Sequence, residues 1–348
     1  YLSRTHFICH EVMTRVSSYR ARGWWLRNPH MQSLFSTMSF RKNAGVRALV
    51  KTGADTSEHV IDAGNGIRLL GFYSENKNRP PRGLVLLLHG WEGSSDSSYM
   101  CHTAARLVNA GFNVFRLNFR DHGDTHHLNE GLFHSCRLEE VVNAAREIEK
   151  KFPAPAFMAA GYSLGGNFAL RLALAAPTAG INLKHAVAIC PAVDPSGVMR
   201  QLEIGLPLYH WYFMKKWRSS LVKKRALFPQ QHGFEDGVLK KNMRSLTQWM
   251  VERHTDKSDE EDYFDGYSVA RGRLADLKVP VSVLAAADDP VIPIDAFRDL
   301  QLPAHSLLEI AEHGGHCGFI EGASMRGYAE RWVVQRLAMA LQNGPTAS

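Results

Sequence analysis

The stretch Gly161-Tyr162-Ser163-Leu164-Gly165 constrains this chain more than any other part of it. A serine between two glycines, after an apolar run and before a helical one, fits a sharp strand-to-helix turn that lifts the hydroxyl over a sheet. Side chains at the flanking positions would strike the neighbouring strand and helix, which is why glycine is needed there. Alone, the pattern also fits a tight turn with a capping serine. Its surroundings favour the first reading: 154–160 reads as a short buried strand, 164–175 carries leucine and alanine at helical spacing, and Pro177 closes the run. Ser163 is the candidate nucleophile.

Three other segments end in chemistry that such a serine needs. Residues 84–88 run into His89-Gly90-Trp91-Glu92-Gly93, a loop suited to half of an oxyanion hole. Residues 281–287 end in Asp288-Asp289-Pro290-Val291-Ile292-Pro293, where an acid belongs. Residues 306–310 lead into His313-Gly314-Gly315-His316-Cys317-Gly318-Phe319. The chain order serine, aspartate, histidine is the one this turn is found with. A serine hydroxyl is a weak nucleophile at neutral pH and needs a neutral histidine as base, held in the correct tautomer by a carboxylate. The residues themselves leave His313 and His316, and Asp288 and Asp289, as alternatives.

From residue 58 onward, strand-like segments (59–62, 67–73, 84–88, 113–118) alternate with helical ones (99–109, 138–151), the pattern of an α/β chain with a mostly parallel sheet covered on both faces. After a strand at 186–190 the alternation stops. Residues 194–270 become helical, aromatic and charged and are expected to form an inserted lid, and the core resumes at Val279 and ends in a helix at 325–341. Residues 1–50 are basic and irregular in pattern, an N-terminal extension whose cluster Trp24, Trp25 and Phe35 is expected to pack on the body. Within the lid, the apolar run 206–214 followed by Lys215-Lys216 fits core packing, a substrate-facing surface or peripheral membrane contact.

The 348 residues are 45% hydrophobic and 22% charged, enough for one large core. The net charge of +7 is modest and dispersed, with no recognised nucleic-acid motif. No apolar run reaches the roughly 18 residues that span a bilayer, and no signal-peptide pattern is seen, so a cytoplasmic location is expected. The chain begins with tyrosine, which leaves room for a missing leader. Cys9, Cys101, Cys136, Cys190 and Cys317 are odd in number and lack CxxC spacing, the pattern of reduced thiols.

Taken together the motifs resemble the YheT-like branch of the α/β-hydrolase family, serine hydrolases with an N-terminal extension and a lid. Asn28-Pro29-His30-Met31-Gln32-Ser33-Leu34 is similar to the branch's NPHxQTL signature, His89-Gly90-Trp91-Glu92-Gly93-Ser94-Ser95 to its HGxEGSS loop, and Ser163-Leu164-Gly165-Gly166-Asn167 to its SLGGN elbow. Ala287-Asp288-Asp289-Pro290 and the loop from His313 to Phe319 look like its acid and histidine loops. Ser33 departs from the usual threonine, Arg120-Asp121-His122-Gly123-Asp124-Thr125-His126-His127 departs from the commoner arginine-glycine loop, and the lid departs most.

The resemblance implies an α/β-hydrolase fold over 1–348 as a single domain, with Ser163, Asp289 and His316 as the catalytic triad and the amides of Trp91 and Leu164 as the oxyanion hole. It implies a carboxylic-ester hydrolase forming an acyl-serine, acting on short- to medium-chain acyl esters or lipid esters. A small-molecule ester is the expected partner, with no cofactor, metal or nucleic acid. Three rival readings remain. Asp121, His122, Asp124, His126, His127 and His134 crowd together in a way that would fit a metallohydrolase, though without HExxH spacing. His254 and Asp259 form an HxxxxD pattern that would fit an acyltransferase, yet with 17 histidines such a match is expected by accident. A non-catalytic binding protein on the same fold is the third.

Overall fold

The computed structural model describes residues 14–342. Nine strands form one sheet: β1 (Thr14–Val16), β2 (Asp55–Asp62), β3 (Arg68–Glu75), β4 (Leu84–Leu88), β5 (Asn113–Leu117), β6 (Phe157–Tyr162), β7 (Leu183–Ile189), β8 (Val281–Ala286) and β9 (Leu307–Ala311), in the order β1-β9-β8-β7-β6-β4-β5-β3-β2. From β5 across to β1 every pairing is parallel, while β3 and β2 join antiparallel at one edge. Strands β4, β5, β6 and β8 are buried along their whole length, as strands of a parallel sheet covered by helices on both faces must be.

The chain steps from β4 to β5 on one side, then crosses back to lay β6 on the other side of β4. Loops leaving the carboxyl ends of β4 and β6 therefore diverge from a shared crevice, the place where open α/β sheets bind ligands. Leu88 and Gly161 are register partners at that end. The helices Ser98–Asn109, Leu138–Lys151, Leu164–Ala175 and Tyr328–Gln342 pack on the sheet faces. Between β7 and β8 lie five α-helices among the described residues, at Pro195–Ile204, Pro207–Leu227, Asp236–Leu239, Met243–His254 and Glu260–Asp265.

Several expected elements differ in the structure. Residues 14–50 are not irregular: β1 adds to β9, and helices span Pro29–Thr37 and Ser39–Val50. Asn28 caps the first of these by accepting the N–H groups of His30 and Met31, with Pro29 at the first helical position. Trp25 packs edge-on against Phe35, but Trp24 stands exposed. Residues 1–13, with Cys9, lie outside the described residues. The strands expected at 59–62 and 67–73 are longer and form an antiparallel hairpin, because a turn at Gly64 returns the chain on itself. β6 starts later than expected and runs directly into the elbow. No helix among the described residues is long and apolar enough to cross a membrane.

Candidate active site

Ser163 sits between β6 and the helix Leu164–Ala175 with φ 53° and ψ −119°, a conformation that serine adopts only where its surroundings impose it. The crowding there is severe. A Cβ at Gly165 would lie 2.2 Å from the Leu88 carbonyl oxygen, and one at Gly161 would lie 2.0 Å from that of Gly165. Glycine alone allows β4, β6 and the helix to converge, and the convergence forces the serine outward.

Two long-range loops meet this serine. His316 Nε2 lies 3.0 Å from Ser163 Oγ, and His316 Nδ1 lies 2.9 Å from Asp289 Oδ2. With Nδ1–H donating to the carboxylate, Nε2 is left to accept from the serine hydroxyl. The second oxygen of Asp289 accepts the N–H groups of Val291 and Ile292 at 2.8 and 3.0 Å, which fixes the carboxylate. Asp288 faces elsewhere: it accepts Gly315 N–H at 2.9 Å and lies 3.5 Å from His313. The structure thus joins Asp289 and His316 to Ser163, and pairs Asp288 with His313 beside them. Burial opposes a charged His316, but the Asp289 carboxylate outweighs it and lifts the imidazole to about 9.

Leu164 opens its helix, so its amide is one of the first-turn N–H groups that no helical carbonyl reaches. Trp91 follows Gly90, whose Cβ position would be 3.3 Å from Ser163 Cβ, and this places the loop after β4 against the elbow. That loop is held by groups the sequence did not single out for the task. His89 accepts Phe119 N–H and donates to the Gly90 carbonyl, and burial pushes its imidazole down to about 4, so it stays neutral. His122 accepts Glu92 N–H and donates to the Arg120 carbonyl. Tyr99 Oη accepts Gly90 N–H, and Lys216 of the long helix Pro207–Leu227 donates to the Glu92 carbonyl.

Most of the remaining candidates are engaged in other contacts, and His127 stands exposed. Asp121 pairs with buried Lys224 at 2.6 Å, Asp124 with Lys223, and His126 with Ser220. His254 packs against Trp249 and His232, while Asp259 caps a helix by accepting Asp262 N–H. An apolar cavity of about 1040 Å³, its open mouth included, extends from Ser163 and Leu164 between Leu202, Phe213, Trp217, Met243 and Met250. A second cleft at Ser163, the more polar of the two and sharing Trp91 and Phe213 with the first, is lined by His316, Ser94, Ser97, Lys42, Lys216 and Lys223.

A serine at the end of a central strand, bonded to a histidine from one loop and through it to an aspartate from another, can move a proton off its hydroxyl. A family model described as the alpha/beta hydrolase fold matches residues 83–323. The chain belongs to that family. Among curated relatives of this α/β hydrolase, the putative esterase YheT of Escherichia coli (strain K12) is 25% identical over 261 residues, covering 73% of this chain and 74% of that protein. Phospholipase ABHD3 of Bos taurus is 26% identical over 300 residues, covering 83% of this chain and 68% of that protein. The hyperthermophilic esterase from Pyrobaculum calidifontis shares the fold at a TM-score of 0.55 with 17% identity, over 90% of this chain and 97% of that one. The chain is a YheT-like α/β hydrolase, as its motifs led one to expect. The matched region begins at residue 83, so the helix Pro29–Thr37 lies outside it.

Proposed function

We propose that this α/β hydrolase is a carboxylic-ester hydrolase that works through an acyl intermediate on Ser163. The observation that carries the reading is the unbroken hydrogen-bond chain from Ser163 Oγ through His316 to Asp289. His316 takes the hydroxyl proton as Ser163 Oγ attacks the ester carbonyl, and Asp289 stabilises the imidazolium that forms. The amides of Trp91 and Leu164 receive the developing oxyanion, each such donor being worth about 3 kcal/mol in the transition state. His316 then passes its proton to the departing alcohol. Water, deprotonated by the same imidazole, attacks the acyl-serine, and His316 returns that proton to Ser163 Oγ as the bond to the acyl carbon breaks and the acid leaves.

The two cavities flanking Ser163 favour an ester with an apolar acyl group and a polar alcohol half. The acyl chain would enter the space between Leu202, Phe213, Met243 and Met250, and the alcohol would leave by the polar cleft. Short- to medium-chain esters fit this reading, as do lipid esters, and the name of the phospholipase relative points the same way. The insertion 194–270 acts as the lid, since Phe213 and Trp217 close over Trp91 and Lys216 anchors its loop. Of the N-terminal extension 1–50, the described part from Thr14 onward braces the histidine loop, within one domain. The decisive experiment is turnover of p-nitrophenyl esters of graded acyl length by the wild type and by Ser163→Ala. Loss of turnover in a folded Ser163→Ala, with mass-spectrometric capture of an acyl or fluorophosphonate adduct on Ser163 in the wild type, is the expected result. Full turnover in that variant would overturn the proposal.

A further inference from the structure

Behind the histidine loop lies a cluster that ester hydrolysis leaves unused. Cys190 follows β7 directly and Cys317 follows His316; both are free thiols and both are buried. A sulfur from each and one imidazole nitrogen of His316 all lie within 4.8 Å of one another. Among the described residues this is the one group of three or more histidine, cysteine or acidic donors gathered so closely. The two thiols contact each other, and their carbonyl contacts are long, Cys190 Sγ lying 3.9 Å from the Gly315 oxygen and Cys317 Sγ 3.8 Å from that of Ile189. Cys317 and His316 also line the polar cleft at Ser163, which gives an ion a route from solvent.

We propose that Cys190, Cys317 and His316 form a binding site for a soft divalent cation of the zinc and cadmium class, and that filling it switches the hydrolase off. Two thiolates and an imidazole are the donor set such ions select over magnesium or calcium. Around a tetrahedral zinc ion with bonds of about 2.0–2.3 Å, donor atoms stand roughly 3.5–4 Å apart. The cluster reaches that spacing with small side-chain movements. Each thiol yields its proton to solvent as its metal–sulfur bond forms, so two protons leave for one dication bound where His316 is neutral, and a third leaves where the imidazole is protonated. Asp289, whose charge reaches both thiols, adds to the field that favours a cation.

The switch follows from the histidine. Both nitrogens of His316 are occupied, one by Asp289 and the other by Ser163. A metal ion on either nitrogen displaces one of those bonds, so an imidazole that holds the ion cannot also serve as base. The inhibition rests on the proposed esterase mechanism; the binding does not.

The test titrates cadmium into the metal-free full chain and follows the ultraviolet thiolate-to-cadmium charge-transfer band, beside ester turnover in zinc-buffered solution. A band that saturates at one equivalent is expected, with turnover falling roughly tenfold or more and recovering with chelator. Cys190→Ser and Cys317→Ser should each weaken the band and restore turnover in zinc, whereas Cys101→Ser should change neither; circular dichroism checks that each variant is folded. Absence of the band from the wild type overturns the site, as does a band undiminished in both variants. A band with unchanged turnover overturns the switch and keeps the site. A chain that cleaves no ester sinks the proposed function, and the cadmium band still decides the binding.

Discussion

Ser33 Oγ accepts the backbone N–H of His316 at 2.8 Å, so a helix near the start of the chain holds the residue proposed as the general base. Ser33 in turn donates to the Pro29 carbonyl at 2.7 Å. Its neighbour Gln32 is wholly buried, donating to Tyr19 Oη and the Leu26 carbonyl and accepting Ile320 N–H. The contact is so close that a Cβ at Gly315 would sit 2.4 Å from the Pro29 carbonyl oxygen.

Ser33→Ala should therefore lower kcat by roughly five- to tenfold with little change in KM, the scale of one lost hydrogen bond of about 1 kcal/mol. Ser33→Thr keeps the hydroxyl and should retain most of the rate. Steady-state kinetics on both variants checks this; equal rates in the wild type and Ser33→Ala would show that the helix does not position His316.

The pH dependence has a defined sign. His316 must be neutral to act as base, and Asp289 raises it from 6.5 to about 9. Activity should climb from neutral pH into the alkaline range as His316 loses its proton. Asp289→Asn removes the raising charge, so the limb of kcat/KM should move to lower pH while the rate drops on the order of 10³–10⁴-fold. A limb unmoved in Asp289→Asn would mean that another group controls it.

Acyl-length preference should follow the apolar cavity. Met243 and Leu202 line it and are buried. Leu202→Trp should cut kcat/KM for an octanoyl ester about tenfold or more and leave the acetyl ester nearly unchanged, since a few methylenes denied their pocket cost about 1–3 kcal/mol. Parallel loss on both esters would place the acyl chain elsewhere.

Stability should hinge on one buried ion pair. Arg41 of the helix Ser39–Val50 bonds to Glu330 of the final helix and donates to Ser98 Oγ, with both charged side chains at most 3% exposed. Glu330→Ala strands a guanidinium in the interior and should cost about 3–5 kcal/mol. Urea unfolding monitored by circular dichroism measures it, and a loss below about 1 kcal/mol would contradict the burial argument.

Much of this architecture was written into local sequence. The strand at 84–88 announces itself as an unbroken apolar run and that at 281–286 as one broken only by Ser282, and the helices Leu138–Lys151 and Leu164–Ala175 fall where periodicity puts them, because burial on a sheet leaves a repeating signature. The elbow glycines and the order of serine, aspartate and histidine were equally plain. Contacts between distant segments were not. β1 is three exposed residues that become a strand only by pairing with β9, and no periodicity marks them. Asp288 and Asp289 are neighbours of identical chemistry, and only the turn of the backbone sends one to His313 and the other to His316. The same holds for the bond from His316 to Ser33 and for the meeting of Cys190 with Cys317. A sequence fixes which groups a chain carries and the local shapes they prefer, whereas which donor meets which acceptor across 283 positions is decided by packing the whole sheet.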